Sequence, residues 1–159
     1  MSINVREMRA ADYPLMADFL YHAIFQPETG ERLPYEVIFQ PEIFVYIDGF
    51  GASDIPGDVG VAAEGEDGLL GMAWARIIPA YGHIDADTPE LAVSVLPAHR
   101  NAGIGTALLE GLFDLLRAKG YRQTSLSVQT ENPAARLYQR VGYEIIEDRG
   151  EDWLMVKYL

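Results

Sequence analysis

The chain has 159 residues, 49% hydrophobic and 23% charged, which fits one folded domain over 1–159 with a sizeable core and excludes disordered or collagen-like sequence. It has no cysteine, so disulfides, thiolate-ligated zinc and an acyl-cysteine intermediate are excluded. A net charge of −12 and a pI near 4.5 argue against a nucleic-acid partner. Ile3 to Met8 reads as a first strand. Charges in this N-terminal stretch, and Arg76 within the apolar run Leu69 to Ala80, speak against a signal peptide or membrane span and for a soluble cytoplasmic protein. Asp12 is placed as the N-cap of a helix from Tyr13 to about Phe25, with Pro14 in its first turn. Residues 26–51, rich in proline and aromatics, are expected to form a loop and a short helix near Pro41 to Ile47. Val59 to Glu64 and Leu69 to Ile78 read as a hairpin around Gly65 to Gly68.

Leu91 to Leu96, short and mostly apolar between Pro89 and Pro97, reads as a buried strand. Ile104, Leu108, Leu112, Leu115 and Leu116 then recur at helical spacing up to Lys119 and a stop at Gly120. A strand at Gln123 to Val128, a helix at Pro133 to Val141 and strands near Tyr143 to Glu147 and Trp153 to Tyr158 complete the chain. Antiparallel strands around a central βαβ unit predict an α/β fold with a mixed, mostly antiparallel sheet flanked by helices.

The turn between the central strand and the long helix carries Arg100, Gly103 and Gly105. At a helix entrance the unpaired N–H groups and the positive dipole end favour an anion. Glycines admit a phosphate close to the backbone, and Arg100 adds a forked donor; equally, two glycines suffice for a tight strand-to-helix turn. A phosphate-loop nucleotide triphosphatase would need Lys followed by Ser or Thr after the second glycine, where this chain has Thr106-Ala107. A dinucleotide fingerprint would need a third small residue where it has Leu108.

Arg100-Asn101-Ala102-Gly103-Ile104-Gly105 matches the R/Q-x-x-G-x-G/A signature of the GNAT family of N-acetyltransferases. Asn132 to Tyr138, followed by Val141-Gly142-Tyr143, resembles that family's later N-x-x-A…LY…GF/Y segment. Asn132 stands six residues before Tyr138 where the family more often has seven, which puts Glu131 at the equivalent place. The resemblance implies a mixed, bent sheet split at its centre, with acetyl-CoA as cosubstrate and no metal. It implies that the backbone of Val93, Ser94 and Val95 pairs along the pantetheine arm. Asn101, Ala102, Gly103, Ile104, Gly105 and Thr106 would hold the pyrophosphate beside Arg100, and Asn132 would contact the cofactor. Tyr138 would protonate the departing thiolate, since a phenol remains protonated at neutral pH. The activity so implied is direct acetyl transfer to a primary amine in a ternary complex. A catalytically silent acyl-CoA-binding or regulatory domain of the same fold is the alternative.

The acceptor amine must lose a proton before it attacks, and Glu90, opening the central strand, is the candidate base or water-positioning residue. In a regular strand Glu90 shares a face with Ala92 and Ser94, so this role calls for a bulge. From Asp12 to Glu90, 15 acidic residues face only Arg32 and Arg76, a surface that could attract a cationic small-molecule or peptide amine or simply confer solubility. The same half holds Tyr13, Phe19, Tyr21, Phe25, Tyr35, Phe39, Phe44, Tyr46 and Phe50, which either pack helices onto the sheet or line an acceptor pocket. Tyr81 and His83 are weaker candidates for that pocket. His22 and His99 lack metal-ligand spacing. Two edge strands near the C-terminus could support a homodimer.

Overall fold

The computed structural model describes residues 3–27, 30–52 and 57–159. Seven strands, β1 (Asn4–Glu7), β2 (Val59–Gly65), β3 (Gly68–Arg76), β4 (Glu90–Val95), β5 (Gln123–Gln129), β6 (Glu144–Asp148) and β7 (Asp152–Tyr158), form one sheet in the order β1-β2-β3-β4-β5-β7-β6. All neighbours are antiparallel except β4 and β5, which enclose the crossover helix α3 (Ile104–Ala118). The remaining helices are α1 (Met16–Ala23), α2 (Pro41–Phe44) and α4 (Ala134–Arg140).

Strand alternation assigns the two faces. Val61, Ala63, Ala73, Ala75 and Leu91 point to one side, where they meet Ile104, Leu108, Leu109, Leu112, Phe113 and Leu116 of α3. Burying each of these leucines contributes roughly 1.5–3 kcal/mol, so the helical repeat read from Ile104 onward is the stripe that fixes α3 to the sheet. Ala62, Met72 and Trp74 point to the opposite face and pack with Met16, Phe19, Leu20 and Ile38. Helices α3 and α4 therefore lie on one face, α1 and the α2 segment on the other.

The structure corrects two expectations. Asp12 is not a helix N-cap: a 3-10 turn, Ala10–Leu15, precedes an α1 that begins only at Met16 and ends at Ala23. The Asp12 carboxylate instead accepts a forked pair from Arg6, at 2.8 and 3.1 Å, and the Arg9 N–H at 2.8 Å. The Arg6 bond holds its pKa below the usual 3.8. Nor are there two edge strands near the C-terminus. β7 lies between β5 and β6, so of these last two strands β6 alone is at an edge, the other edge being β1. It is exposed, shifts register between Ile145 and Glu147, and carries Glu144, Glu147 and Asp148, features that keep an edge from pairing. No helix among the described residues is long and apolar enough to cross a membrane.

Candidate active site

β4 and β5 share one registered pair, Glu90 with Ser125, braced by the Ser125 N–H on the Pro89 carbonyl at 3.0 Å. Beyond it the strands diverge around a cavity of about 780 Å³. Leu91 to Val93 and Leu126 to Val128 form its strand walls, Tyr138 and Asn132 line it from the α4 side, and Leu20, Ile24, Ile43 and Tyr46 from the opposite face. The cleft thus passes through the sheet.

The β3–β4 ladder settles which backbone groups face the cleft. Leu96 donates to the Leu70 carbonyl at 2.9 Å, and the register is regular from Gly71 with Val95 to Arg76 with Glu90. Antiparallel pairs alternate between bonded and non-bonded, so Ser94, Ala92 and Glu90 direct their backbone groups to β3. Leu91, Val93 and Val95 direct theirs toward β5, which pairs beside Leu91 and has turned away by Val93. Of the three residues expected along the pantetheine arm, Val93 and Val95 have backbone groups on the cleft edge and Ser94 does not. Ser94 also buries its hydroxyl without a hydrogen-bond partner.

The glycine turn follows the C-terminal end of β4, outside the cavity lining. Gly103 is the N-cap of α3 with φ +83, accepting the Ala107 N–H at 3.1 Å, so the N–H groups of Ile104, Gly105 and Thr106 lie ahead of the first intrahelical bond. A Cβ at Gly103 would meet no atom within 4 Å, whereas one at Gly105 would approach the Leu137 side chain at 3.2 Å. Asn101 adopts the left-handed region at φ +63, which asparagine tolerates better than most residues. Asn101 and Ala102 are exposed. Arg100 does more than stand beside the turn: its Nε donates to Val95 O at 3.1 Å and its Nη2 to His22 O at 3.0 Å, tying the end of β4 to α1.

On the α4 side, Asn132 lines the cleft while its Oδ1 accepts the Ala134 N–H at 2.9 Å, an Asx turn that leads into the helix. Tyr138 is 9% exposed, its ring set against Tyr143 at 5.8 Å, and its hydroxyl has no partner among the described residues. Burial pushes its pKa up to about 12, so the phenol is a proton donor over the neutral range.

Glu90 is neither a solvated strand end nor carried into the cleft by a bulge. The register of β4 is unbroken, and the side chain is buried on the α1 face. Its Oε2 accepts from the Tyr46 hydroxyl and, at 2.9 Å, from the Gly82 N–H; its Oε1 is buried without a partner among the described residues. Gly82 is needed for this approach, since a Cβ there would lie 2.9 Å from the Glu90 carboxyl carbon and from the Leu126 backbone. Burial raises the Glu90 pKa above 4.5, outweighing the bonds from Tyr46 and Gly82. Burial first, and then the Glu90 charge, hold the Tyr46 phenol well above its ordinary value.

Tyr46, not Glu90, reaches the cleft surface. The sequence offered it only as one ring among nine; its partner is 44 positions away, beyond any local spacing rule. Side chains of β3 hold its turn from below: Trp74 Nε1 donates to Tyr46 O at 3.0 Å, and Arg76 Nη1 to Val45 O at 3.0 Å and Asp48 O at 2.8 Å. Arg76 is itself buried and paired with Asp58 at 2.9 and 3.0 Å. The other rings divide: Phe19 is core, Phe25 lines the cleft, and Tyr35 and Phe39 are exposed. Tyr81 lines the cleft and His83 does not. Among the described residues, no group of three or more His, Cys, Asp or Glu is placed to hold a metal.

Residues 18–143 match the model of the Acetyltransferase (GNAT) family. Mycothiol acetyltransferases of Kocuria rhizophila and Paenarthrobacter aurescens are 32% and 36% identical over 85 and 84 residues, about half of this chain. Those aligned stretches cover 28% and 25% of the relatives, so the chain matches only about a quarter of their length. The fold is shared with PaiA N-acetyltransferase from Thermoplasma acidophilum in complex with coenzyme A, at TM-score 0.72 and 20% identity over 100% of both chains. It is also shared with the ribosomal-protein-S18-alanine N-acetyltransferase of Escherichia coli, at TM-score 0.66 and 17% identity over 99% of this chain and 94% of that one. With the family match running from α1 to the start of β6 and both signature segments in place on the split sheet, the chain belongs to the acetyltransferase (GNAT) family.

Proposed function

We propose that the 159-residue chain acts as one acetyl-CoA-dependent N-acetyltransferase domain, moving the acetyl group directly to a primary amine in a ternary complex. The observation that carries this reading is the through-sheet cleft between β4 and β5. One edge of it is the unpaired backbone of Val93 and the Val95 N–H, and the glycine turn of α3 follows at its end. An extended pantetheine arm suits that edge as a substitute for the missing β5 pairing. The N–H groups at the start of α3 suit a pyrophosphate. The open space at Gly103 supports that fit, and the relative with bound coenzyme A supports the choice of donor.

Three chemical tasks then fall to this chain. A backbone N–H on the cleft edge of β4 is a donor for the oxyanion that develops on the thioester carbonyl. Tyr138 supplies a proton to the departing thiolate, and Glu90 is the final acceptor of the amine proton. Acidic residues at the cleft rim, Glu131 and Glu151, favour approach of a cationic amine. The test is release of CoA thiol from acetyl-CoA across a panel of primary amines: amine-dependent release is expected. A protein that acetyl-CoA stabilises, yet that releases thiol with no amine, would be a silent acyl-CoA-binding domain instead.

A further inference from the structure

We infer that Tyr46 takes the acceptor's amine proton while passing its own to Glu90, and that the acceptor is a primary amine on an apolar body; this rests on the acetyltransferase reading above. Glu90 is 2% exposed and does not line the cleft, so no amine reaches it directly. Tyr46 lines the cleft, and its hydroxyl already donates to Glu90 Oε2. The unpartnered Oε1 leaves the carboxylate short of hydrogen bonds in buried surroundings, which favours its taking up a proton. The Tyr46 turn is fixed by Trp74 and Arg76, so the phenol is held in place before any substrate arrives. Leu20, Ala23, Ile24, Phe25 and Ile43 line the cleft with it on the α1 side and offer no partner to a second charge, while the carboxylates of the lining, Glu131, Glu151 and Asp152, stand at the ends of β5 and β7.

The proton balance closes. The ammonium gives one proton to the Tyr46 oxygen as the Tyr46 proton moves to Glu90, leaving a neutral amine and a carboxylic acid. The nitrogen lone pair forms the N–C bond to the thioester carbonyl and the C–S bond breaks. Tyr138 protonates the thiolate, and the surplus proton on the new amide nitrogen restores Tyr138. Glu90 then releases its proton to solvent through Tyr46. Burial raises where Glu90 titrates, and Tyr46, the Gly82 N–H, His83 in the loop before β4 and Arg149 in the β6–β7 turn oppose it; Arg76, its register neighbour on β3, is held by Asp58.

The experiment uses phenethylamine and spermidine as acceptors and Tyr46→Phe and Glu90→Gln as variants, with CoA-thiol release followed against pH. Phenethylamine is expected to have the higher kcat/KM, by at least about tenfold. Removing a general base costs about 10²–10⁴-fold, so Tyr46→Phe should lose at least about 100-fold in kcat with KM for acetyl-CoA unchanged. Without the relay the variant relies on amine already neutral, and an alkylamine titrates near 10. Its rate should therefore climb about tenfold per pH unit between pH 7 and 9, while the wild type levels off above the Glu90 titration. Glu90→Gln should show the same climb. Tyr46→Phe within threefold of wild type, a slope like that of wild type, or a preference for spermidine would overturn the inference. If acetyl-CoA stabilises neither wild type nor variant, the acetyltransferase reading itself fails; if it stabilises both but the kinetic pattern is absent, only the relay fails.

Discussion

Gly103 offers a substitution whose folding cost and ligand cost separate. It sits at φ +83 at the head of α3, and a Cβ there meets no atom within 4 Å. Gly103→Leu therefore costs the fold only the left-handed backbone penalty, roughly 1–2 kcal/mol. At about 2–4 °C per kcal/mol for a chain of this size, the unliganded Tm should fall by roughly 2–8 °C. Acetyl-CoA at 100 times its Kd stabilises the wild type by about 2.7 kcal/mol, a rise of roughly 5–11 °C. The leucine fills the space through which a pyrophosphate must approach the N–H groups of Ile104, Gly105 and Thr106. A 100-fold weaker complex at the same concentration retains about 0.4 kcal/mol, a shift of about 1 °C. Differential scanning fluorimetry with and without acetyl-CoA reads both numbers. An undiminished acetyl-CoA shift in Gly103→Leu would refute the assignment of the α3 entrance to the cofactor.

Tyr138→Phe should lower kcat by about 10²-fold or more and leave acetyl-CoA affinity near that of wild type, because the hydroxyl is needed only as the C–S bond breaks; unchanged turnover removes Tyr138 from the acid role. Asp58→Asn leaves the buried Arg76 guanidinium without its charge partner and should cost about 3–5 kcal/mol, a Tm loss of roughly 6–20 °C. A loss below about 1 kcal/mol would show that the Val45 and Asp48 carbonyls suffice for Arg76. Glu90 titrates above 4.5 in the folded chain, so between 4.5 and its folded pKa the native state holds more protons than the unfolded one. Its contribution to stability is complete below 4.5 and is lost as pH rises through the folded value. Urea unfolding of wild type relative to Glu90→Gln should show an advantage that shrinks with rising pH; a pH-independent difference contradicts the raised titration.

The sheet and its two helical faces were legible because their determinants are local. The two apolar runs at Val59 to Glu64 and Leu69 to Ile78, joined by a glycine turn, mark a buried hairpin, and the leucine repeat of α3 marks a buried face; neither depends on a distant partner. The glycine turn at the head of α3 was legible as well, since a strand, two glycines and an amphipathic helix are contiguous. Partners far apart in the chain defeated local rules. Asp12 looks like an N-cap until Arg6 claims its carboxylate, and the preceding turn is then 3-10. Gly105 looks like a phosphate glycine, yet it also clears Leu137 of α4. Alternation did place Glu90 with Ala92 and Ser94, as observed; it could not say that Tyr46 and Gly82 would enclose the carboxyl there. Nor does a strand pattern show which of two neighbours a residue's backbone bonds, which is why Ser94 and Val93 looked equivalent.

The cleft between β4 and β5 is proposed to bring the thioester of acetyl-CoA to an amine. The most direct test is to follow CoA thiol and N-acetyl product together in one reaction of the wild-type protein with acetyl-CoA and phenethylamine. The two should appear one for one and only when protein, donor and amine are all present. Thiol release at the same rate without amine, or binding of acetyl-CoA with no N-acetyl product from this or any other primary amine, would contradict it.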